Sequence, residues 1–331
     1  MDMPYELKAA AEELVEGINP SRLRKIAQEL SDRYRNSSAS GKTLLSEELE
    51  ASVYSLVRMP ATYGAVSASL KYALEFYDGP VCNTLLDVGA GSGSGSWAVN
   101  YFNDSSRVNI NKITCLEREA AMRTIGSKLM KSGDSVLSNA EWRSFDLTSN
   151  SATSDMVSAD IVLESYVLNE LSPSDRHKAL DNLWAHTNNM LLLVEPGSKI
   201  GFGVLKDARE YLLAEGASLI APCPHTGECR LDSDDWCHFT CRVQRSKIHK
   251  LLKDGDVPYE DEKFSFMCFA KSDSQVRRAI SRILRHPQIS KGQIGLTLCG
   301  SERNEEVVIR KRDGEAFKVA RKASQGDSFD Y

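Results

Sequence analysis

No apolar stretch approaches the roughly 18 residues that a membrane-crossing helix needs, so the chain is not expected to span a bilayer. Its first residues, MDMPYELKAAAEELVEG, lack the basic start and apolar middle of a signal peptide. They also lack the Arg-rich, acid-poor character of a transit peptide, so a cytoplasmic protein is expected. No internal repeat or extended low-complexity segment stands out, which excludes a repeat array. Cysteine, by contrast, is not scarce. Eight cysteines in a compartment that keeps thiols reduced point to metal chemistry more than to disulfides. At 331 residues, 41% apolar and 26% charged, the chain is long enough for one large domain with appendages.

Negative charge is in excess, at a net −5, but it is unevenly spread. Between Arg242 and Gln325 there are 19 Lys and Arg against 11 Asp and Glu, a balance of +8, which leaves the remainder near −13. A basic C-terminal part on an acidic body suits a protein that presents one face to phosphates.

Three regions follow from the pattern. Residues 1–80 read as a helical region, with helical spacing from Leu7 through Val15 and a second start signal at Asn19-Pro20-Ser21. A polar break is expected at Arg35–Gly41. A third helix from Glu47 to Val57 is expected to stop before Pro60, and a further amphipathic stretch runs from Tyr63 to Phe76. Residues 81–270 alternate strands and helices, with strand candidates at 84–88, 112–116, 161–163 and 190–194. That rhythm predicts a parallel sheet covered on both faces, with ligands beyond the carboxyl ends of its strands. A Cys-rich insert at 217–241 interrupts this region, and 271–331 forms a basic, strand-rich C-terminal extension.

The first strand ends in Asp87-Val88-Gly89-Ala90-Gly91-Ser92-Gly93, where glycines let the backbone turn sharply and approach a ligand. The second strand ends at Glu117, placed to accept ribose hydroxyls, and Asp146 in Phe145-Asp146-Leu147 could read an adenine amino group. Glu164, Tyr166 and Asn169, on and after the fourth strand, are candidates for the methyl-donor pocket, with Glu164 equally readable as a polar residue at the sheet rim. This set resembles the class I S-adenosylmethionine-dependent methyltransferases over about residues 81–270. The resemblance implies a Rossmann-like sheet holding S-adenosyl-L-methionine near Asp87, Gly89, Gly91, Gly93, Glu117, Asp146 and Glu164. A nicotinamide-binding domain fits less well, because Ser94 stands where G-x-G-x-x-G has its last glycine. The fourth strand carries neither Asn/Asp-Pro-Pro-aromatic nor Pro-Cys, so no catalytic residue is assigned.

Six cysteines fall between 223 and 299. The spacing C-x5-C-x7-C of Cys223, Cys229 and Cys237 is too wide for a zinc knuckle, whereas a four-iron cluster accepts ligands from separate loops. The fourth ligand would be Cys241, Cys268 or Cys299. Cys268 sits in a strand-like apolar run and Cys241 is only four residues past Cys237, so Cys299, before Gly300, is preferred. His225 and His238 are neighbours that could orient sulfurs or serve a zinc ion, although a solvent-facing role is expected for each.

Arg58-Met59-Pro60-Ala61-Thr62-Tyr63, Cys-Pro-His-x3-Cys, Trp236-Cys237-His238-Phe239 and the basic ending Ala320-Arg321-Lys322 together resemble the methyltransferase-like small-ribosomal-subunit assembly factors, over about residues 40–325. These are best known from mitochondria, with bacterial relatives. The resemblance implies S-adenosylmethionine binding, a [4Fe-4S] cluster on Cys223, Cys229, Cys237 and Cys299, with zinc as the alternative, and association with small-subunit rRNA. It implies methyl transfer that can be lost and a mitochondrial location for a eukaryotic source; no membrane partner is expected, and a monomer is expected by default because the ribosomal surface would act as the partner.

Overall fold

The computed structural model describes residues 2–37, 47–147, 156–232, 234–253 and 255–330. Its centre is a twisted sheet of eight strands: β1 (Cys82–Val88), β2 (Val108–Glu117), β3 (Glu141–Ser144), β4 (Ala159–Ser165), β5 (Thr187–Pro196), β6 (Ser218–Ala221), β7 (Phe239–Gln244) and β8 (Tyr259–Ala270). The order is β3-β2-β1-β4-β5-β8-β6, with β7 paired to β8 alone. β1 to β5 are mutually parallel, and β8 runs antiparallel to β5, β6 and β7. One reversed strand inserted between the fifth and sixth of a doubly wound parallel sheet is the class I methyltransferase topology, as the sequence led us to expect.

These strands are apolar almost throughout because both faces are covered. Alternation divides their side chains between two cores: Leu85, Ile161, Leu163, Met190 and Leu192 face one, and Leu86, Val162, Leu191 and Leu193 face the other. The first core lies under helices α1 (Tyr5–Glu13), α2 (Pro20–Ser37), α3 (Glu48–Leu74), α4 (Ser94–Asn100), α5 (Ala120–Met130) and α6 (Ser135–Ser138). The second lies under α7 (Pro173–Ala185) and α8 (Lys199–Ala214). The short α9 (Lys247–Leu252) joins β7 to β8 and leans on α2 and α3.

The helix expected to stop before Pro60 does not stop. α3 passes through Pro60 unbroken and absorbs the stretch expected from Tyr63 to Phe76 as far as Leu74. A mid-helix proline forfeits one backbone hydrogen bond. Here tertiary packing outweighs that loss: Leu56, Met59, Pro60, Ala61, Tyr63 and Gly64 are all buried, and the helix lies across β7 and β8. The polar break expected at 35–41 begins inside α2, and residues 38–41 lie outside the described residues.

Past β8 the chain builds a second sheet from β9 (Ser281–Ile283), β10 (Gln288–Ser290), β11 (Gln293–Gly300) and β12 (Asn304–Arg310), capped by α10 (Glu315–Ala320). Ile283, Ile294, Leu296, Leu298, Ile309 and Phe329 form its own core. Polar ties fasten this unit to the first sheet. Arg277 pairs with Asp78 at 2.7 Å and donates to the Glu75 carbonyl. Arg230 reaches the carbonyls of Gly300 and Ser301. Arg282, only 2% exposed, donates to the carbonyls of Pro222 and Gly326 and lies over the rings of Tyr72 and Phe76.

Replacing Arg282 by Met leaves two carbonyls without these donors, each worth about 1–3 kcal/mol when buried and unsatisfied. The expected outcome is a loss of several kcal/mol in denaturant unfolding, with proteolytic cleavage appearing first in residues 271–330.

Candidate functional site

The carboxyl ends of β1, β2 and β4 stand side by side, with Val88 opposite both Leu116 and Glu164. The glycine turn rises from this edge. Gly89 and Gly93 have φ of +71° and +86°, in the region that a Cβ disfavours. The amides of Gly89 and Ala90 bond the Leu116 carbonyl at 2.8 and 3.0 Å, which holds the turn against β2. Gly93 stands at the N-terminus of α4, and no side chain caps that helix start. Glu117 accepts from the amides of Gly91 (2.9 Å) and Glu119 (2.7 Å), one on each oxygen, and each oxygen retains a lone pair for a hydroxyl donor. Gly89, Gly91, Glu117 and Asp146 line one open cleft.

Two other expected contacts lie below that cleft. Asp87 is fully buried, and one oxygen accepts from the Ser96 amide and hydroxyl at 2.9 and 2.7 Å while the other has no partner. Burial pushes its carboxyl up to about 6, against the pull of those two bonds. It ties the end of β1 to α4 across the glycine turn. Glu164 is also fully buried and accepts from the amides of Val167 and Leu168 at 2.7 and 3.0 Å. Beside it, the buried Glu195 takes the Asn169 amide at 3.2 Å and side-chain nitrogen at 2.6 Å. Burial raises both carboxyls above the usual range, and the Glu164 charge adds to the shift at Glu195, so the pair favours sharing a proton. Together the two carboxyls shape the turn after β4.

That turn supplies Tyr166, one of the residues expected at the pocket, and Glu170, which the sequence reading left unassigned. Tyr166 has φ +63°, a strained value for a bulky side chain, and its hydroxyl donates to Glu262 at 3.2 Å. Glu170 reaches the cleft, and burial pushes its carboxyl up to about 7 while Arg118 pulls the other way. From the far side α3 contributes Arg58, Met59 and Thr62, with Arg58 3.7 Å from Glu262. The Arg58–Tyr63 motif therefore has a physical basis: three of its residues face the cleft, while Pro60, Ala61 and Tyr63 are buried in the core. Ser172-Pro173, which caps and starts α7, was the available signal that the segment before it is a strand-end loop.

Between the carboxyl end of β6 and the start of β7 the Cys237 thiol has those of Cys223, Cys299 and Cys229 as neighbours, whose charges, added to burial, push it well above its ordinary range. Cys223 also lies beside Arg209 and Arg282, which oppose the effect of burial. Arg209 is almost fully buried and donates to the carbonyls of His225 (3.0 Å) and Gly227 (2.6 Å), so it orders the loop between the first two cysteines. Cys241 packs beside Gly64 of α3, and Cys268 is a fully buried strand residue. The solvent-facing role expected of His225 is overturned: it is 8% exposed, and its Nε2 lies 3.8 Å from Cys299 Sγ. His238 is half-buried against Trp236. Among the described residues no three His, Cys, Asp or Glu side chains close on a single metal ion.

The C-terminal basic residues divide into two groups. Arg277 and Arg285 pair with Asp78 and Asp235, Arg278 pairs with Asp273, and Arg282 is buried. Arg310, Lys311, Arg312, Lys318, Arg321 and Lys322 are exposed around α10, where Arg312 and Lys318 pair only with the nearby carboxylates of Asp313 and Glu315 among the described residues.

Residues 48–330 match the family model described as Mitochondrial small ribosomal subunit Rsm22. The human protein named Ribosome assembly protein METTL17, mitochondrial is 27% identical over 292 residues, covering 83% of this chain and 61% of the human one. The Rsm22-cox11 tandem protein 2, mitochondrial of Schizosaccharomyces pombe is 23% identical over 215 residues, 51% of this chain and 28% of that one. The chain thus spans about three-fifths of the human relative's length. Among solved structures, an O-methyltransferase family protein from Burkholderia thailandensis aligns with a TM-score of 0.44 at 10% identity, covering 76% of this chain and 71% of the other. The magnesium protoporphyrin IX methyltransferase of Synechocystis aligns with a TM-score of 0.41 at 13% identity, covering 75% and 97%.

The buried Asp87 gives a signed pH dependence. A carboxyl raised from 3.8 to about 6 by folding contributes stability that is full below the lower value and lost as pH rises through the higher. Relative to Asp87→Asn, the wild-type chain should lose about 2.4 kcal/mol between pH 4 and pH 7, read from urea midpoints of the two proteins.

Proposed function

The chain belongs to the family of the mitochondrial small ribosomal subunit protein Rsm22, and from that premise we propose that it is a small-subunit assembly factor that binds ribosomal RNA. In this reading it holds S-adenosylmethionine at the Gly89–Gly93 turn and a [4Fe-4S] cluster on Cys223, Cys229, Cys237 and Cys299. For a eukaryotic source, the compartment is the mitochondrion. The family match over residues 48–330, which takes in both sheets and all four cysteines, is the observation that carries the reading.

The cleft fits an adenosyl ligand. Glu117 is pinned by two backbone amides with lone pairs to spare for ribose hydroxyls, and Asp146 lines the same cleft as an acceptor for an amino group. The glycines keep side chains away from the turn. When bound, the cofactor supplies an electrophilic methyl group. The chemistry of the donor set supports the reading: four cysteine thiols whose charges act on one another are the ligand type that a four-iron cluster takes at its corners, with zinc as the alternative. Arg209 and Arg282 beside Cys223 would offset the charge of several thiolates. Such a group would cross-link the 222–238 loop to β11 and so fix the basic unit against the first sheet. Exposed Arg310, Lys311, Arg312, Lys318, Arg321 and Lys322 are the cations available for RNA phosphates.

A second reading, an active RNA methyltransferase with a structural cluster, is favoured by one observation: Glu170 brings a carboxyl poised near neutral pH to the cleft. Methyl incorporation into small-subunit RNA separates the two.

Anaerobically purified protein is expected to carry about four irons and four sulfides per chain, with visible absorbance near about 400 nm. Cys229→Ser should lose the iron and increase proteolysis of residues 271–330 together. A variant that keeps full iron removes Cys229 from the ligand set, and one zinc without sulfide removes the cluster. Replacing Lys311, Arg312, Lys318, Arg321 and Lys322 by Ala should weaken binding to small-subunit RNA. It should also flatten the plot of log K against log salt by about 0.7–0.9 for each phosphate that is no longer neutralised. An unchanged slope would place the RNA elsewhere.

A further inference from the structure

His225 and Cys299 lie 74 residues apart in sequence, and their contact is clamped from both sides. Arg209, almost fully buried, holds the His225 carbonyl at 3.0 Å and the Gly227 carbonyl at 2.6 Å, which fixes the backbone that carries the ring. Arg230 holds the carbonyls of Gly300 and Ser301, directly after Cys299, at 3.2 Å each. Its own carbonyl accepts from Asn304, the register partner of Cys299 on β12, at 3.1 Å. Between these clamps the imidazole Nε2 stands 3.8 Å from the Cys299 sulfur, a hydrogen-bond contact for an atom as large as sulfur. Nδ1 is buried without a partner, and the neighbouring Gly227 carbonyl is already taken by Arg209. A neutral imidazole carries one N–H, and its two tautomers are not equal here. A ligating cysteine is a thiolate, which takes an N–H and repels a lone pair, so the site selects the form with its proton on Nε2.

We propose that His225 is a positioning residue that donates its Nε2–H to the Cys299 thiolate, orients that fourth ligand and raises the reduction potential of the iron-sulfur cluster held there. The proposal rests on the reading of Cys223, Cys229, Cys237 and Cys299 as cluster ligands. When the cluster takes up one electron its sulfurs become more negative. A donor aimed at one of them therefore stabilises the reduced form more than the oxidised one. Burial makes the donor effective: an exposed imidazole would spend its N–H on water, whereas His225, at 8% exposure, keeps it for sulfur. The Cys-Pro-His spacing gives this arrangement a plain logic. One short segment carries a ligand of its own, Cys223, and two residues later the donor for a ligand that arrives on β11. Arg209 and Arg282 lie beside Cys223, so the cations serve one end of the thiol set and the imidazole serves the other.

The test uses full-length, anaerobically purified protein, as wild type, His225→Ala and His225→Gln, reduced by dithionite in a redox titration. Glutamine presents an N–H at a similar reach, and alanine presents none. At a fixed potential His225→Ala is expected to lower the ratio of reduced to oxidised cluster about tenfold, which for one electron is about 59 mV. His225→Gln should recover most of that loss. In wild-type protein labelled with nitrogen-15 at histidine, electron spin echo spectra of the reduced cluster should show a nitrogen-15 coupling that disappears in His225→Gln. This second measurement decides the matter should the alanine variant fail to hold iron. Equal potentials in the three proteins, a loss that glutamine does not repair, or absence of the coupling would overturn the donor while leaving the cluster reading intact. Protein that carries one metal ion and no sulfide would overturn the cluster reading and the shift in potential with it. The donor would then be read on cobalt(II)-substituted protein, where His225→Ala should move the sulfur-to-cobalt charge-transfer band to lower energy and His225→Gln should restore it. An unmoved band, or no bound metal at all, would overturn the donor as well.

Discussion

The Arg282 guanidinium sets the relation between the two sheets. It is charged, almost wholly buried, and held by carbonyls from two distant segments, Pro222 at the start of the cysteine loop and Gly326 near the C-terminus. Burying an arginine costs several kcal/mol unless its donors are matched, so this geometry tolerates little displacement. Arg282 is also the register partner of Cys299 across β9 and β11. Fixing the one fixes the other, so the guanidinium that ties the two sheets together also sets where the fourth thiol stands relative to its three companions.

The glycine-turn cleft rests on a comparable device of opposite charge. Glu164 and Glu195 are buried side by side, and between them they bind the amides of Val167, Leu168 and Asn169. Two carboxyls in one apolar place disfavour double ionisation, so the pair is at ease only when it holds a proton and its backbone donors together. This is what holds Tyr166 in a left-handed conformation that a free chain avoids. The strain is local, and it is stored at the wall of the cleft.

Much of this was legible in the chain. The strand–helix rhythm, the glycine turn, Glu117 and Asp146 follow from periodicity and from what a strand end can present, and the topology agrees with that reading. Pro60 misled because its local cost is real but smaller than the burial of the helix around it. His225 misled because a histidine beside prolines, threonine and glycine looks like a surface loop, whereas Arg209 draws that loop inward through its carbonyls. Asp87 and Glu164 were visible as acidic residues at the right strand ends. What periodicity could not reveal is that Glu117 lines the cleft while Asp87 and Glu164, at the neighbouring strand ends, are buried beneath it. The basic C-terminus was legible as charge alone, and pairing with Asp78, Asp235 and Asp273 separates its fastening residues from its exposed ones only in three dimensions.

The reversed strand also imposes an order of events during synthesis. β6 finds its partner only in β8, and β8 must slide between β5 and β6, so the sheet stays open at that edge until residue 270 has left the ribosome. The loop with three of the cysteines hangs from this unfinished edge, and the fourth arrives with β11, still later. Pairings so distant in sequence form slowly. The four thiols therefore come together only after the strands of the first sheet have been made.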